Sequence, residues 1–237
     1  MGSLSSLLTA PDLWSSPARR WTRAGRTAAA ATLVLAASCQ LAAFLTEVQH
    51  DKTIDRLEWI AANPTRANVA KTFDLLAMPF LFGVVIVYVL LSRERSPRLA
   101  YAGGILLACG MVGLTAVQGF ETLEFALAED GRIDPKTLAD VVDNVSIAPA
   151  IAMLLLFIPG AFLGLLTMAV ALWRSGAVPR GAVLLIPLFI VTDLFLQQGV
   201  LGHAIALVGA VWIASAVLLA GRITATGELP APAEAVG

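Results

Sequence analysis

Charge is what this chain has least of. Only 14% of its 237 residues are Asp, Glu, Lys or Arg, where a soluble domain carries about 25%. A soluble fold of this size could not hide its apolar surface and still keep a wet exterior. Neither sign of charge dominates: sixteen basic and seventeen acidic residues leave a net charge of −1, which excludes the basic footprint of a nucleic-acid binder. Cysteine is nearly absent. Cys39 and Cys109 both fall in apolar runs, where two thiols read as packing and not as a disulfide or metal site. Histidine occurs twice, at His50 and His203. No nucleotide loop, zincin motif, nucleophile elbow or cysteine ligand cluster is present. What the chain does have is hydrophobic residues, 58% of the total, and a mean hydropathy of +0.80. That combination specifies an all-α, polytopic transmembrane bundle. Thirteen Arg stand against three Lys, with abundant Ala and Gly; this is the bias of a GC-rich bacterial genome and carries no mechanism.

A helix needs about 20 apolar residues to cross some 30 Å of hydrocarbon. Six spans are expected, at 27–45, 75–91, 99–120, 147–172, 182–198 and 203–220. The last two come from one apolar run, Ala182 to Ala220. At 1.5 Å per residue that run is about 58 Å long and must fold back. Gln197, Gln198, Gly199, Gly202 and His203 supply the expected turn, because Gly breaks the helix and the polar groups seek water. With the N-terminus inside, the inner segments hold ten Lys and Arg and the outer ones six, so the expected orientation is N-in and C-in. Eleven of the seventeen acids fall in the two long outer loops. Ala36-Ala37-Ser38-Cys39 faintly resembles a lipoprotein cleavage box, but the apolar run continues through Leu45. The segment is therefore read as a retained span in a bacterial plasma-membrane protein.

Residues 1–26 read as a cytoplasmic interfacial tail anchored by Leu4, Leu7, Leu8, Trp14 and Trp21. Residues 222–237 read as a disordered cytoplasmic tail after a membrane domain spanning 27–221. In outer loop one, Ile54, Leu57, Ile60 and Ala61 share the face of a short amphipathic helix on the outer surface. Asn63-Pro64 then starts a helix that runs into span two. In outer loop two, Asp130-Gly131 ends the extension of span three, and Asp134-Pro135 caps a further helix. Two basic inner turns ending in Pro-Arg, 91–98 and 172–180, form a weak internal repeat. Gly103-Gly104 and Gly160-x-x-x-Gly164 fit close helix packing, and Pro79, Pro159 and Pro187 fall inside spans.

The stretch Ala171 to Arg180 and the stretch Trp59-Ile60-Ala61-Ala62-Asn63-Pro64 resemble those of a family of actinobacterial multi-span integral membrane proteins of the domain-of-unknown-function class. The resemblance covers residues 30–220 in layout. It implies a fold and no activity.

An ionisable group inside a span costs several kcal/mol unless paired or wetted. Seven polar residues fall near the expected outer face: Glu47, His50, Asp74, Glu121, Asp193, Gln197 and His203. They define a candidate polar pocket at the outer leaflet. Glu47 and His50 share a helical face, and with His203 they are the candidate ligands for a metal ion; two histidines would alternatively ligate one haem. Against this, His50 precedes Asp51-Lys52 and reads as a solvated loop residue, and Asp74 would pair with Lys71 at the surface. Gln40 and Tyr88 read as interhelical hydrogen-bonding groups. Three functions follow: a binding or accessory membrane protein, a metal- or haem-dependent enzyme at the outer leaflet, or a small transporter. The implied partners are the lipid bilayer and a metal ion or small apolar ligand. The sequence names no catalytic residue, cofactor or oligomeric state.

Overall fold

A computed structural model of the chain describes residues 16–48, 50–144 and 148–220. The anchors at Leu4, Leu7, Leu8 and Trp14, the start of span four at Ile147, and the 222–237 tail lie outside the described residues. Eight α-helices are found there and no strand: α1 Arg23–Thr46, α2 Thr53–Ala62, α3 Pro64–Ser92, α4 Pro97–Asp130, α5 Pro135–Asn144, α6 Ala148–Ser175, α7 Arg180–Ile190 and α8 Gly199–Leu219. Five of them, α1, α3, α4, α6 and α8, are long and apolar enough to cross a membrane. This is the architecture of a helical, multi-pass membrane bundle. Large apolar side chains are exposed along its outside: Ile86, Ile105, Leu155 and Val208 all project outward, as lipid-facing side chains do.

The helix boundaries follow from local chemistry. Thr22 caps α1 by accepting a hydrogen bond from the Gly25 amide at 3.0 Å. Pro64 begins α3, which then runs unbroken to Ser92. Asn63 does not cap α3 with its side chain; its side-chain Nδ2 instead donates back to the Trp59 carbonyl at 3.0 Å and closes α2. Gly131, with φ 67°, ends α4 in the left-handed region, and Asp134 accepts from the Thr137 amide at 3.2 Å to start α5. The amphipathic face of α2 does not lie on the outside of the molecule. Leu57 and Ile60 are buried against Ala67, Phe125, Ala128 and Leu138, so α2, α5 and the end of α4 form a small protein-covered cap. Thr53 on α2 donates to Asp143 on α5 at 2.6 Å and ties the two together.

The tightest crossing is α4 on α6. A Cβ on Gly110 would lie 2.4 Å from the Ala161 backbone nitrogen, and one on Gly164 2.5 Å from the Leu107 nitrogen. The two backbones are therefore in contact, as small residues permit. Gly104 does not join this crossing; it faces the Val89 side chain. The two Pro-Arg turns meet: Arg95 Nη1 donates to the Ser175 carbonyl at 2.8 Å. This arginine end of the bundle is packed solid, with Leu91, Met168, Leu172, Val178 and Val217 each 1% exposed or less.

The fifth expected span takes a different form. It consists of the 11 residues of α7 followed by a π turn, Val191–Phe195, of 5 residues. At 1.5 Å per residue these 16 residues rise about 24 Å. Pro187 lies inside α7 and cannot donate to the carbonyl one turn before it, and the wider turn follows directly. The reversal is made by Leu196, Gln197 and Gln198, with Gln197 at φ 52°. Gly202 and His203 are not part of it. They are buried inside α8, which starts at Gly199 because the Gly202 amide bonds back to the Gln198 carbonyl at 2.8 Å.

Candidate functional site

A cavity of about 610 Å³ runs down the middle of the bundle. Helices α1, α3, α4, α6, α7 and α8 all contribute to its wall. Along α1 its lining extends from Leu33 to Glu47, a rise of about 21 Å. The floor is apolar, formed by residues such as Leu33, Val85, Leu107, Met111, Ile186 and Ile213. The other end is polar. Six of the seven sequence candidates, Glu47, His50, Asp74, Glu121, Asp193 and His203, line this one cavity. Gln197 does not: it is exposed in the turn, because its left-handed backbone reverses the chain instead of continuing the helix.

Spacing explains how these groups reach the interior. On α3, positions 71, 74, 78, 81, 85 and 88 alternate by three and four residues and share one face. Lys71, Asp74, Met78, Val85 and Tyr88 on that face are all buried. On α4 the same alternation carries Leu107, Met111, Leu114, Gln118 and Glu121 to the cavity, and on α1 it carries Leu33, Ala36, Gln40, Ala43 and Glu47. Each polar candidate on these helices therefore continues an apolar stripe.

The polar end has two parts. On the α3–α4 side, Lys71 is the hub. Its ammonium donates to Glu121 at 2.6 Å, donates to Gln118, lies 3.9 Å from Asp74 and faces the Phe125 ring at 5.2 Å. The Lys71–Asp74 pair expected at the surface is buried, since both residues fall on the inward face of α3. Beside it, Arg56 of α2 donates to Glu124.

On the α1–α8 side, His203 is held on all sides. Its Nδ1 donates to the Gly199 carbonyl at 2.8 Å and lies 3.5 Å from Asp193 Oδ1. Its Nε2 faces the Gln40 amide at 3.1 Å, the interhelical bond expected of Gln40. The ring stacks on Phe44 at 4.0 Å, with Phe189 edge-on at 5.4 Å. Gly202 permits the approach of the π turn, because a Cβ there would lie 2.9 Å from Asp193 Cβ. A Gln side chain offers both donors and an acceptor, so Gln40 can partner His203 in either protonation state.

Glu47 and His50 also line the polar end. Glu47 follows the last residue of α1, and burial raises its carboxyl above the ordinary carboxylate range against the lowering pull of Arg56. His50 lies 6.0 Å from the Trp59 ring, and its buried Nε2 has no hydrogen-bond partner.

Sharing a cavity does not make these residues a metal centre. Among the described residues no three His, Cys, Asp or Glu side chains are grouped to hold an ion. The metal candidates His50, His203 and Glu47 are not gathered into a ligand set. The reason is visible in the pairings: Gln40 and the Gly199 carbonyl occupy the two ring nitrogens of His203, and the Lys71 ammonium stands among the α3–α4 carboxylates. Lys71, Gln118 and Arg56 were not among the sequence candidates. The inward stripe of α3 would have found Lys71, and that of α4 Gln118; Arg56 reaches its place only through the tertiary packing of α2. Compared with protein-family models, curated proteins and solved structures, the chain finds no match.

Proposed function

We propose that this chain is a six-span protein of the bacterial plasma membrane, with both termini cytoplasmic, that binds an amphiphilic ligand in its central cavity. The carrying observation is the polarity gradient of that cavity: an apolar shaft ending in a layer of ionisable and amide groups. Ligand sites of this kind are mostly apolar pockets of about 300–1,000 Å³ with a few placed polar groups. A hydrocarbon tail fits the shaft, and a polar head fits the layer of Glu47, Asp74, Glu121, Asp193 and His203. The excess of arginine at the opposite end supports placing that end in the cytoplasm, and so places the polar layer at the outer leaflet. The packed arginine end favours a binding protein over a channel, because the shaft has no continuation there.

Ala206 lines the shaft. In lipid nanodiscs the protein should bind the neutral apolar fluorophore 1-aminoanthracene saturably, and Ala206→Trp should abolish binding by filling the shaft while the variant remains folded by circular dichroism. Saturable binding that Ala206→Trp leaves unchanged would place the ligand elsewhere and overturn the reading.

A further inference from the structure

The binding reading above leaves the head group open, and the charges at the mouth of the cavity narrow it. Lys71 and Arg56, the cations held there, are engaged by Glu121 and Glu124. Lys52 also reaches the rim, but it is exposed to water. Glu47 and Asp193 have no lysine or arginine within 4.0 Å among the described residues; Asp193 has only the His203 ring, at 3.5 Å. Both carboxylates line the cavity. A third group is also unspent. His50 lines the same cavity, and its Nε2 is buried with no hydrogen-bond partner. A buried polar atom left without a partner costs free energy, so a ligand that supplies one is favoured. An anionic head would meet these carboxylates in a site of low dielectric and be repelled. A neutral head would bring them no counter-charge. A protonated amine does neither: it brings positive charge and N–H donors to the carboxylates and to the imidazole nitrogen.

We propose that the cavity takes an amphiphile with a protonated amine head, whose ammonium is held at the acidic mouth lined by Glu47, Asp193 and His50 while an alkyl chain enters the shaft. The inference rests on the binding reading. The two acidic loops, tied together at Thr53 and Asp143, add a field of the same sign at the mouth, which draws cations to it.

Displacement of 1-aminoanthracene from the wild-type protein in phosphatidylcholine nanodiscs, with empty nanodiscs as the reference, tests it. The competitors are three eight-carbon probes: octylammonium, octanol and octyl sulfate. Octylammonium should displace the fluorophore at a concentration at least about tenfold below that of octyl sulfate, with octanol between them. Raising the salt from low to high should weaken octylammonium and leave octanol unchanged. Glu47→Gln and Asp193→Asn should each shrink the gap between octylammonium and octanol. Equal displacement by all three probes, with no salt dependence, would overturn the ammonium assignment and leave the cavity reading standing. Stronger displacement by octyl sulfate would overturn it as well. Failure of every probe and of 1-aminoanthracene would remove the cavity reading itself. The salt series uses the native chain, so a variant that fails to fold does not affect its outcome. Adding phosphatidylethanolamine to the nanodiscs separates the two sources of such a head. A loss of octylammonium affinity supports the assignment with a membrane lipid as the source, and no change supports it with a free amphiphile.

Discussion

At the scale of single residues, Lys71 shows how much a buried charge depends on its company. Its side chain is 6% exposed, Asp74's is 11% and Glu121's is 30%. Replacing Lys71 by Met would leave two carboxylates and the Gln118 amide without their common partner. Breaking a buried pair from one side costs about 3–5 kcal/mol, and the partial exposure of Glu121 lowers the expectation to about 2–3 kcal/mol. The measurement is thermal unfolding in detergent: Lys71→Met should melt well below the wild type, and adding Glu121→Gln should recover part of the loss. An unchanged melting temperature would show that the ammonium is solvated and not a hub. The sequence made Asp74 legible as a site candidate but not Lys71, because an i,i+3 ion pair near a loop looks like any surface pair. The information was present in Met78, Leu81, Val85 and Tyr88, whose stripe extends back through both residues. His50 was ambiguous for a different reason. Its neighbours Asp51 and Lys52 say loop, and only tertiary packing buries its Nε2.

At the scale of helices, close contact between α4 and α6 sets the wall of the shaft. The glycines make it testable, because their surroundings differ sharply within one helix. A Cβ at Gly110 would collide with backbone at 2.4 Å, whereas one at Gly119 meets nothing within 4 Å. Gly110→Ala should therefore push α4 and α6 apart and cost about 1–3 kcal/mol, the usual range for overpacking. Gly119→Ala should be neutral or stabilising by up to about 1 kcal/mol, since Ala is the better helix former. Paired melting curves decide it; equal effects at the two sites would mean that the helices do not touch at Gly110. Helices of this kind were readable from sequence, because long apolar runs bounded by Pro, Gly and Arg specify where they begin and end. The α7 segment was readable as apolar but not in form. Composition counts residues and does not register that Pro187 is followed by a π turn, nor that Gly199 rather than His203 opens α8.

At the scale of the whole molecule, an outer mouth requires that α7 cross the membrane. Five helices reach full length, and an odd number of crossings would put the ends of the chain on opposite sides. With α7 crossing, the count is six and both ends lie together. The segment is short: 16 residues rise about 24 Å, against about 30 Å of hydrocarbon. A deficit of about 6 Å costs only fractions of a kcal/mol per Å through local thinning. Two features argue that α7 spans the bundle. Its first residues adjoin the turn whose Ser175 carbonyl is bound by Arg95, at the arginine end. Its far end leads to Gly199, which lies against Phe44 near the last turn of α1, at the acidic end. Single cysteines in a background with Cys39 and Cys109 replaced by Ala test this directly. Arg132→Cys and Gln198→Cys, both at exposed positions, should react with a membrane-impermeant maleimide on intact cells. Glu94→Cys should react only after the membrane is permeabilised. Labelling of Glu94→Cys on intact cells would invert the orientation and move the cavity mouth to the cytoplasm. Labelling of Arg132→Cys but not Gln198→Cys would make α7 a segment that enters the membrane without crossing it. The acidic mouth could not then be shared by α1, α4 and the π turn on one side of the bilayer, and the ammonium site at Glu47 and Asp193 would fall with it.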